Sequence, residues 1–230
     1  PFWGRYRAKL LVNEEPMVSI IIPNKDHVDD LDRCLKSIYE KSTYKNFEVL
    51  VVESSSERQE TFAYYTQAEY SRKNLRVLYW KKYFNPAAMY NFAAAQAKGE
   101  YLLFVDNDIE VITPDWMEEM LGYCQQETIG IVGAKLYYPN DTVQHAGIVL
   151  GMGENHAADY VLQGADREIL TCGGRTNSIQ NVSAVTKACM MVKKNVHDEI
   201  QGFDERFVEH YSDVDYCLRA GELGKEIVMH

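Results

Sequence analysis

The sequence has little that would place the protein across a membrane or on nucleic acid. No apolar run is long enough to span a bilayer, and no signal-peptide pattern opens the chain. The formal net charge is -10 over 230 residues. Since phosphate backbones recruit basic surfaces, nucleic acid is not expected as the partner. An acidic protein that handled a diphosphate would need a metal ion or local basic groups at the site.

Cysteine is also scarce, and its spacing shows no pairing. The five cysteines are odd in number and contain no C-x-x-C pair. They are Cys34, Cys124, Cys172, Cys189 and Cys217. We therefore expect reduced thiols in a cytosolic setting, several of them simple core residues.

What is present is typical of a globular protein. The composition is 46% hydrophobic and 25% charged, which excludes a disordered chain. Strand-like apolar runs at 18–22, 47–52, 75–79 and 101–105 alternate with helical patterns at 31–38, 57–71 and 86–97. Pro23 is expected to stop the first strand, and Thr113 with Pro114 to open a further helix. This rhythm predicts an α/β fold whose central sheet is mostly parallel and has helices on both faces.

The second half of the sequence is less regular. Strands are predicted at 129–135 and 183–192, and a short helix at 213–220. Residues 139–181 are rich in Gly, Asn, Asp and His, which indicates long loops with short strands. Residues 1–16 are interpreted as a linker or docking segment that precedes the domain.

The most informative stretch is YLLFVDND at 101–108. A buried strand stops at two carboxylates, Asp106 and Asp108, at the point where ligands bind in open α/β sheets. Two hard oxygen ligands on one short turn suit Mg²⁺ or Mn²⁺, and such ions usually arrive with a phosphate. The alternative is an ordinary surface turn, because Asp and Asn are turn formers.

Eight segments of the sequence, taken in order, resemble family 2 glycosyltransferases with the GT-A fold. They are VSIIIPNKD at 18–26, ESSS at 53–56, FN at 84–85 with Asn91, GEYLLFVDND at 99–108, QHAG at 144–147, SAVT at 183–186, GFDE at 202–205 and DVDYCLR at 213–219. The bacterial branch that builds surface polysaccharides is the most similar. The resemblance implies a GT-A domain over 17–230, with a nucleotide-sugar-binding half at 17–110 and an irregular acceptor-side half at 111–230 that looks truncated at its C-terminus.

The resemblance also implies a reaction. A hexosyl or deoxyhexosyl group would pass, with inversion, from a UDP- or dTDP-sugar to a hydroxyl of a glycan or lipid-linked acceptor. Asp106 and Asp108 match the family's metal motif for Mg²⁺ or Mn²⁺, which would neutralise the diphosphate leaving group. We expect a cytoplasmic enzyme at or near the inner face of the membrane, where regions beyond this sequence would allow peripheral association.

The same resemblance assigns a set of donor-binding residues. They are Pro23, Asn24, Lys25, Asp26, Glu53, Asn85, Asn91, Asp106 and Asn107. Glu53 stands where most members carry an aspartate that contacts the nucleobase, and a solvated strand-end acid is its alternative. Asn91 could equally be a helix-interior residue with a local hydrogen bond.

Asp213 is the candidate general base of the reaction. It matches the family carboxylate ahead of the last helix, although Ser212 stands where relatives more often have Glu or Asn. A structural interpretation is compatible with this one, with Ser212 as N-cap and acidic residues in the first turn of the helix. Asp215 and Arg219 are spaced for an i, i+4 ion pair.

The histidines are weaker candidates. His145 is interpreted as a structural hydrogen-bonding residue, and His156 as a residue that could line the acceptor side. The segment 173–175 (GGR) is either part of an acceptor loop or a plain surface turn. His230 ends a predicted strand and falls too early to be the metal-binding histidine of the family.

Two other functions remain open from the sequence. A nucleotidyltransferase would also use an α/β sheet and metal-binding acids, but PNKD at 23–26 lacks the glycine-rich phosphate loop. A catalytically silent module that binds a nucleotide or a glycan is supported by Glu53 and Ser212. The intact Asp106, Asp108 and Asp213 oppose it.

Overall fold

The computed structural model describes residues 8–153, 156–168, 178–208 and 210–230. These residues form twelve strands and six helices. In chain order they are β1 (Val18–Asn24), α1 (Val28–Lys41), β2 (Phe47–Ser54), α2 (Gln59–Ser71), β3 (Leu75–Trp80), α3 (Pro86–Ala94), β4 (Tyr101–Val105), α4 (Trp116–Cys124), β5 (Ile129–Gly133), β6 (Leu136–Tyr137), β7 (Val143–His145), β8 (Ile148–Leu150), β9 (Ala158–Tyr160), β10 (Gln180–Asn181), β11 (Cys189–Lys193), α5 (Lys194–Glu199), α6 (Ser212–Glu222) and β12 (Glu226–Met229).

The central sheet has eight strands in the order β10-β12-β5-β11-β4-β1-β2-β3. β1 pairs in parallel with β2 and with β4, β2 with β3, and β5 with β12, whereas β11 and β10 run antiparallel to their neighbours. The chain builds outward from β1 to β3 and then returns to place β4 on the other side of β1. The carboxyl ends of β1 and β4 therefore flank a topological switch point.

Alternate residues of the strands feed two separate cores. Ile20 and Leu103 pack under α1, α2 and α4 on one face of the sheet. Ile21 and Phe104 pack against α3, α5 and α6 on the other face. Because both faces are covered, the central strands read as continuous apolar runs. The predicted α/β fold, with a mostly parallel sheet and helices on both faces, is confirmed.

The sequence suggested that Pro23 stops the first strand. This prediction is wrong, because β1 continues to Asn24. β4 pairs with β1 only over 18–21, whereas β2 pairs through Asn24. Pro23 therefore has a strand neighbour on one side only, and its missing N–H interrupts no two-sided ladder.

The predicted strand at 183–192 is wrong over its first half, because β11 begins at Cys189. The N–H groups just before it bond to side chains: Thr186 N–H donates to His145 Nε2 and Lys187 N–H to an Asp213 carboxylate oxygen. A largely buried segment can satisfy its backbone hydrogen bonds in this way without joining a sheet.

Three helix ends also differ from expectation. α3 ends at Ala94, three residues before the predicted end. The N-cap of α4 is Asp115, because Thr113 instead closes a turn with Trp116. The N-cap of α6 is Tyr211 in the left-handed region (φ +63°), so Ser212 is the first helical residue and not the cap.

The described part of the N-terminal segment lies against α4. Tyr123 Oη donates to the Ala8 carbonyl, and the Gln125 side chain bonds the backbone of Leu11 and Asn13. A docking segment would make such contacts, and its separation from the domain stays a prediction. Among the described residues, no helix has the length and apolarity needed to cross a bilayer. Four cysteines are free and buried in the core, and Cys172 lies outside the described residues.

Candidate active site

Several of the predicted site residues lie at the carboxyl edge of the sheet, around the switch point. A chain of hydrogen bonds connects three strands there. Asn107 Nδ2 donates to Asn24 Oδ1 (2.6 Å), Asn24 Nδ2 donates to Tyr65 Oη (2.8 Å), and Tyr65 Oη donates to Glu53 Oε2 (2.6 Å). This chain of bonds ties the ends of β4, β1 and β2 to helix α2, so these largely buried side chains form one connected network.

Glu53 is enclosed within this network. Its residue exposes only 3% of its surface, and its carboxylate accepts from Ser56 N (2.6 Å), Ser56 Oγ (2.6 Å) and Tyr65 Oη. The alternative of a solvated strand-end acid is therefore wrong. Glu53 shapes the turn after β2, and its contact with a nucleobase stays a prediction.

Asp26 fixes the loop after β1 onto the start of α2. Its carboxylate accepts from Glu57 N (3.0 and 3.1 Å), Arg58 N (3.0 Å) and Thr61 Oγ1 (3.1 Å). Hydrogen bonds from these groups, led by Glu57 N, lower the pKa of Asp26. Asp26 therefore supplies the cap that Arg58, the N-cap residue of α2, does not.

The residues just before Asp26 differ in their exposure. Pro23 is half-buried and Lys25 is exposed. Their contact with a nucleotide stays a prediction, and so does that of Asn24, whose amide belongs to the network described above.

Asn85 and Asn91 both bond the turn that precedes α6. Asn85 Oδ1 caps α3 by accepting from Ala88 N (3.1 Å), and its Nδ2 donates to the Glu205 carbonyl (2.8 Å). Asn91 accepts from Phe203 N and donates to its carbonyl, both at 2.8 Å. These bonds span more than a hundred residues, so the local bond suggested for Asn91 is not what forms. The two amides hold the 203–205 turn, and their nucleotide contacts stay predictions.

Asp106 sits at the end of β4 in an environment that disfavours its charge. Burial is the largest cause of its raised pKa, and the like charges of Asp108 and Asp213 add to it. Lys187 and a hydrogen bond from Tyr90 Oη (3.1 Å) offset only part of this. A carboxylate with a raised pKa beside two others is typical of a functional site.

Asp213 reaches the same place from the first turn of α6, 107 residues after Asp106. Its residue is 6% exposed, and its carboxylate accepts from Lys187 N (3.3 Å) and from Val214 N (3.0 Å). Asp213 lies near the end of β4, because Lys187 N–H bonds to its carboxylate and the carbonyl of the next residue, Ala188, accepts from Asp106 N (3.0 Å); the role of Asp213 as general base stays a prediction. Two lone-pair positions of the carboxylate remain for other donors.

The residues at the end of β4 fit a divalent cation. Asp108 is exposed, and no described group donates a hydrogen bond to its carboxylate. Hard oxygen donors and the mutual repulsion of like charges both favour Mg²⁺ or Mn²⁺. Within the described ranges no three His, Cys, Asp or Glu side chains converge as a ready-made metal cluster. Water and substrate oxygens would complete the coordination.

Three residues of this site were not predicted from the sequence to belong to it. Tyr65 and Tyr90 lie on helices that were predicted, but the helical pattern alone does not show that their hydroxyls reach a carboxylate. Lys187 follows a motif that was recognised, SAVT at 183–186, and a basic residue there in an acidic chain was the available signal.

His145 agrees with its structural interpretation. It is buried, accepts from Thr186 N (3.3 Å) at Nε2, and packs edge-on against Tyr160 with ring centroids 5.3 Å apart. Burial lowers its pKa to about 3, so the ring is neutral. His156 is exposed, the segment 173–175 lies outside the described residues, and His230 contacts Glu119 (3.1 Å).

Known proteins share this sequence pattern and this fold. The sequence model described as "Glycosyl transferase family 2" matches residues 19–199. The O-antigen biosynthesis protein RfbC of Myxococcus xanthus is 40% identical over 224 residues, which are 97% of this chain and 17% of that protein. The chain thus spans about a sixth of that relative's length.

Two solved structures share the architecture at low sequence identity. The mannosyltransferase PcManGT from Pyrobaculum calidifontis, in complex with GDP-Man and Mn²⁺, superposes with a TM-score of 0.66 at 15% identity over 94% of this chain and 56% of that one. GalNAc-T7 with UDP, GalNAc and Mn²⁺ gives 0.70 at 13% identity over 97% and 43%. At such identities the likeness shows a common fold, the GT-A fold predicted from the sequence.

Proposed function

The chain belongs to glycosyl transferase family 2, and from this premise we propose that it moves a sugar from a nucleotide-diphosphate sugar to an acceptor hydroxyl with the help of Mg²⁺ or Mn²⁺. One observation carries the proposal. Asp106 and Asp108 directly follow β4, and the backbone of 187–188 joins Asp106 N, which donates to the Ala188 carbonyl (3.0 Å), to the Asp213 carboxylate, which accepts from Lys187 N (3.3 Å). That arrangement provides two carboxylates for a metal and one for a proton.

The donor half of the reaction belongs to the end of β4 and the loops beside it. A Mg²⁺ or Mn²⁺ ion at this place would supply positive charge to neutralise the leaving diphosphate. Asp106 and Asp108 would hold the cation. The network from Asn107 to Glu53 would hold the loops that place the nucleotide, since its side chains are already locked by hydrogen bonds.

The acceptor half of the reaction belongs to Asp213. Its carboxylate takes the proton of the acceptor hydroxyl while that oxygen attacks the anomeric carbon, and the bond to the diphosphate breaks. Attack opposite the leaving group inverts the anomeric configuration. Lys187 N–H and Val214 N–H hold the carboxylate in place.

The substrate classes follow from the chemistry and the relatives. UDP- or dTDP-sugars are the proposed donors of a hexosyl or deoxyhexosyl group, and the fold relatives were solved with GDP-Man or with UDP and GalNAc. Because RfbC is named for O-antigen biosynthesis, a glycan or lipid-linked acceptor in surface polysaccharide synthesis is the proposed partner. A cytoplasmic site of action, with peripheral association at the inner membrane face, belongs to the same proposal.

Calorimetry with UDP, dTDP and GDP tests the donor and metal assignments. We expect at least one nucleotide to bind in Mn²⁺ and to lose most of its affinity in EDTA. Asp108→Asn should remove the metal-dependent part of binding. Glu110→Gln is the matched control, because this nearby acid ion-pairs with Lys41 at the surface (2.7 Å). Equal affinity in Mn²⁺ and EDTA would reject the metal assignment.

Turnover separates an enzyme from a silent binding module. With Mn²⁺, the chain should hydrolyse the matching nucleotide-sugar slowly and transfer faster when candidate acceptors are added. Metal-dependent nucleotide binding without any release of sugar from the donors tested would instead support a binding module of the same fold.

A further inference from the structure

Lys187 lies between the two groups of carboxylates that make up the candidate active site. The backbone N–H of Lys187 donates to the Asp213 carboxylate (3.3 Å), and the backbone carbonyl of the next residue, Ala188, accepts from Asp106 N (3.0 Å). The backbone of 187–188 therefore bridges the end of β4 and the start of α6. A side chain that starts from this bridge is within reach of both.

The charge of Lys187 acts on the site and is not neutralised within it. Among charged neighbours Lys187 is the strongest influence that lowers the pKa of Asp106. The residue is half-buried, yet its ammonium forms no ion pair or hydrogen bond with any described residue. In contrast, Lys36 and Lys41 ion-pair with nearby acids at the surface.

An ammonium group that is partly removed from water is expected to have an anionic partner. The Asp106 carboxylate lies close enough for the charge of Lys187 to lower its pKa, but Asp106, Asp108 and Asp213 form no salt bridge with the Lys187 ammonium. A diphosphate at the switch point would bring several anionic oxygens to the same place. Such oxygens form strong, charge-assisted hydrogen bonds with lysine.

We propose that Lys187 binds the diphosphate of the donor and of the leaving nucleotide, as a fixed cation that works beside the metal. The inference rests on the proposed function and adds a binding residue to that site. It also supplies the local basic group that an acidic chain needs in order to hold a diphosphate. As the glycosidic bond breaks, the ammonium stabilises the negative charge that develops on the diphosphate.

The proposal predicts two effects of opposite sign. Lys187→Met should weaken nucleoside diphosphate binding by about 10- to 100-fold in EDTA, the usual worth of a charged hydrogen bond. It should strengthen binding of Mn²⁺ alone by about three- to tenfold, because a positive charge leaves the neighbourhood of Asp106 and Asp108. A merely structural role would weaken both ligands together.

The experiment is titration of UDP, dTDP, GDP, the corresponding nucleosides and Mn²⁺ into the full chain and its variants. Nucleoside affinity should not change in Lys187→Met, and Lys187→Arg should restore most of the diphosphate affinity. Lys36→Met is the control for loss of one positive charge at the surface. Thermal unfolding of each variant shows whether the fold is intact.

The outcomes separate this inference from the function on which it rests. If the parent chain binds nucleoside diphosphate and Lys187→Met binds it equally well, the inference is overturned and the proposed function stands. If Lys187→Met weakens diphosphate, nucleoside and Mn²⁺ alike, the residue is structural and the inference is again overturned. If the parent binds no nucleotide at all, the proposed function fails first.

Discussion

Two carboxylates at opposite edges of the same sheet, buried Glu48 and half-buried Asp106, show how differently one fold treats its acids. At the amino edge, Glu48 accepts from Lys98 N (2.7 Å) and Ser19 Oγ (2.8 Å), and it forms a salt bridge with Arg76 (3.0 Å). At the carboxyl edge, Asp106 receives one hydrogen bond from Tyr90 and faces two like charges.

The pKa values of the two groups move in opposite directions. Burial alone would raise the pKa of Glu48, but hydrogen bonds and the charge of Arg76 outweigh it, and the net shift is downward. Burial raises the pKa of Asp106, and its partners do not compensate. Glu48 therefore stabilises the fold at neutral pH, whereas Asp106 destabilises it unless a cation binds. A carboxylate that is retained although it lowers the stability of the fold indicates a functional role.

The largest effect should come from Asp213, on the functional side of the comparison. Asp213→Asn should lower turnover by about 10²- to 10⁴-fold while nucleotide and metal binding persist, because only the acceptor's proton loses its base. Turnover with saturating donor, alongside calorimetry, measures the split. A variant as fast as the parent, or a product that retains the anomeric configuration, would reject this assignment.

At the amino edge the effect should be on stability alone. Glu48→Gln should cost about 2–3 kcal/mol, since it removes a charged partner from Arg76 and from buried donors. Urea unfolding at pH 7 measures the loss. Nucleotide affinity should equal that of the parent, and a matching loss of affinity would mean that the two edges are not independent.

The direction of the pKa shift of Glu48 determines how this loss of stability depends on pH. Since the pKa of folded Glu48 lies below the ordinary value of 4.5, its stabilisation is fully present above that value. It is lost as the pH falls through the folded pKa. The stability difference between parent and Glu48→Gln should therefore shrink in strongly acidic buffer.

Asp106→Asn should do the reverse and stabilise the chain. The amide removes a charge that burial and neighbours disfavour, and it still accepts from Tyr90. A gain of about 1 kcal/mol, or about 2–4 °C in Tm, is expected at neutral pH without metal. Since the pKa of folded Asp106 is raised, the gain should disappear as the pH falls below that pKa towards 3.8. A loss of stability at neutral pH would contradict this account.

The smallest effect should come from Asp215, the matched control for Asp213 in the same helix. Asp215 pairs with Arg219 (2.7 Å), as its i, i+4 spacing predicted. Asp215→Asn should cost about 0.5 kcal/mol of stability. Turnover should equal that of the parent; a drop comparable to that of Asp213→Asn would show that the helix start, and not one carboxylate, is what matters.

The sequence predicted what depends on local pattern. Apolar runs and helical spacing predicted most of the strands and helices. The end of the apolar run at Val105 predicted that Asp106 and Asp108 lie at the end of a strand. The sequence did not predict contacts that depend on tertiary register, such as Tyr90 with Asp106. The segment 183–188 looked like a strand because the sequence pattern does not show that side chains, and not a neighbouring strand, accept its N–H groups.

A crystal grown with Mn²⁺ and the nucleoside diphosphate that binds best tests the central claim most directly. An anomalous difference map at the manganese edge should show one strong peak bonded to the Asp108 carboxylate, with Asp106 beside it and the diphosphate between the cation and Lys187. A peak elsewhere, or a nucleotide bound in the surface groove beside Leu218 and Ile227, would contradict the assignment of the carboxyl edge as the active site.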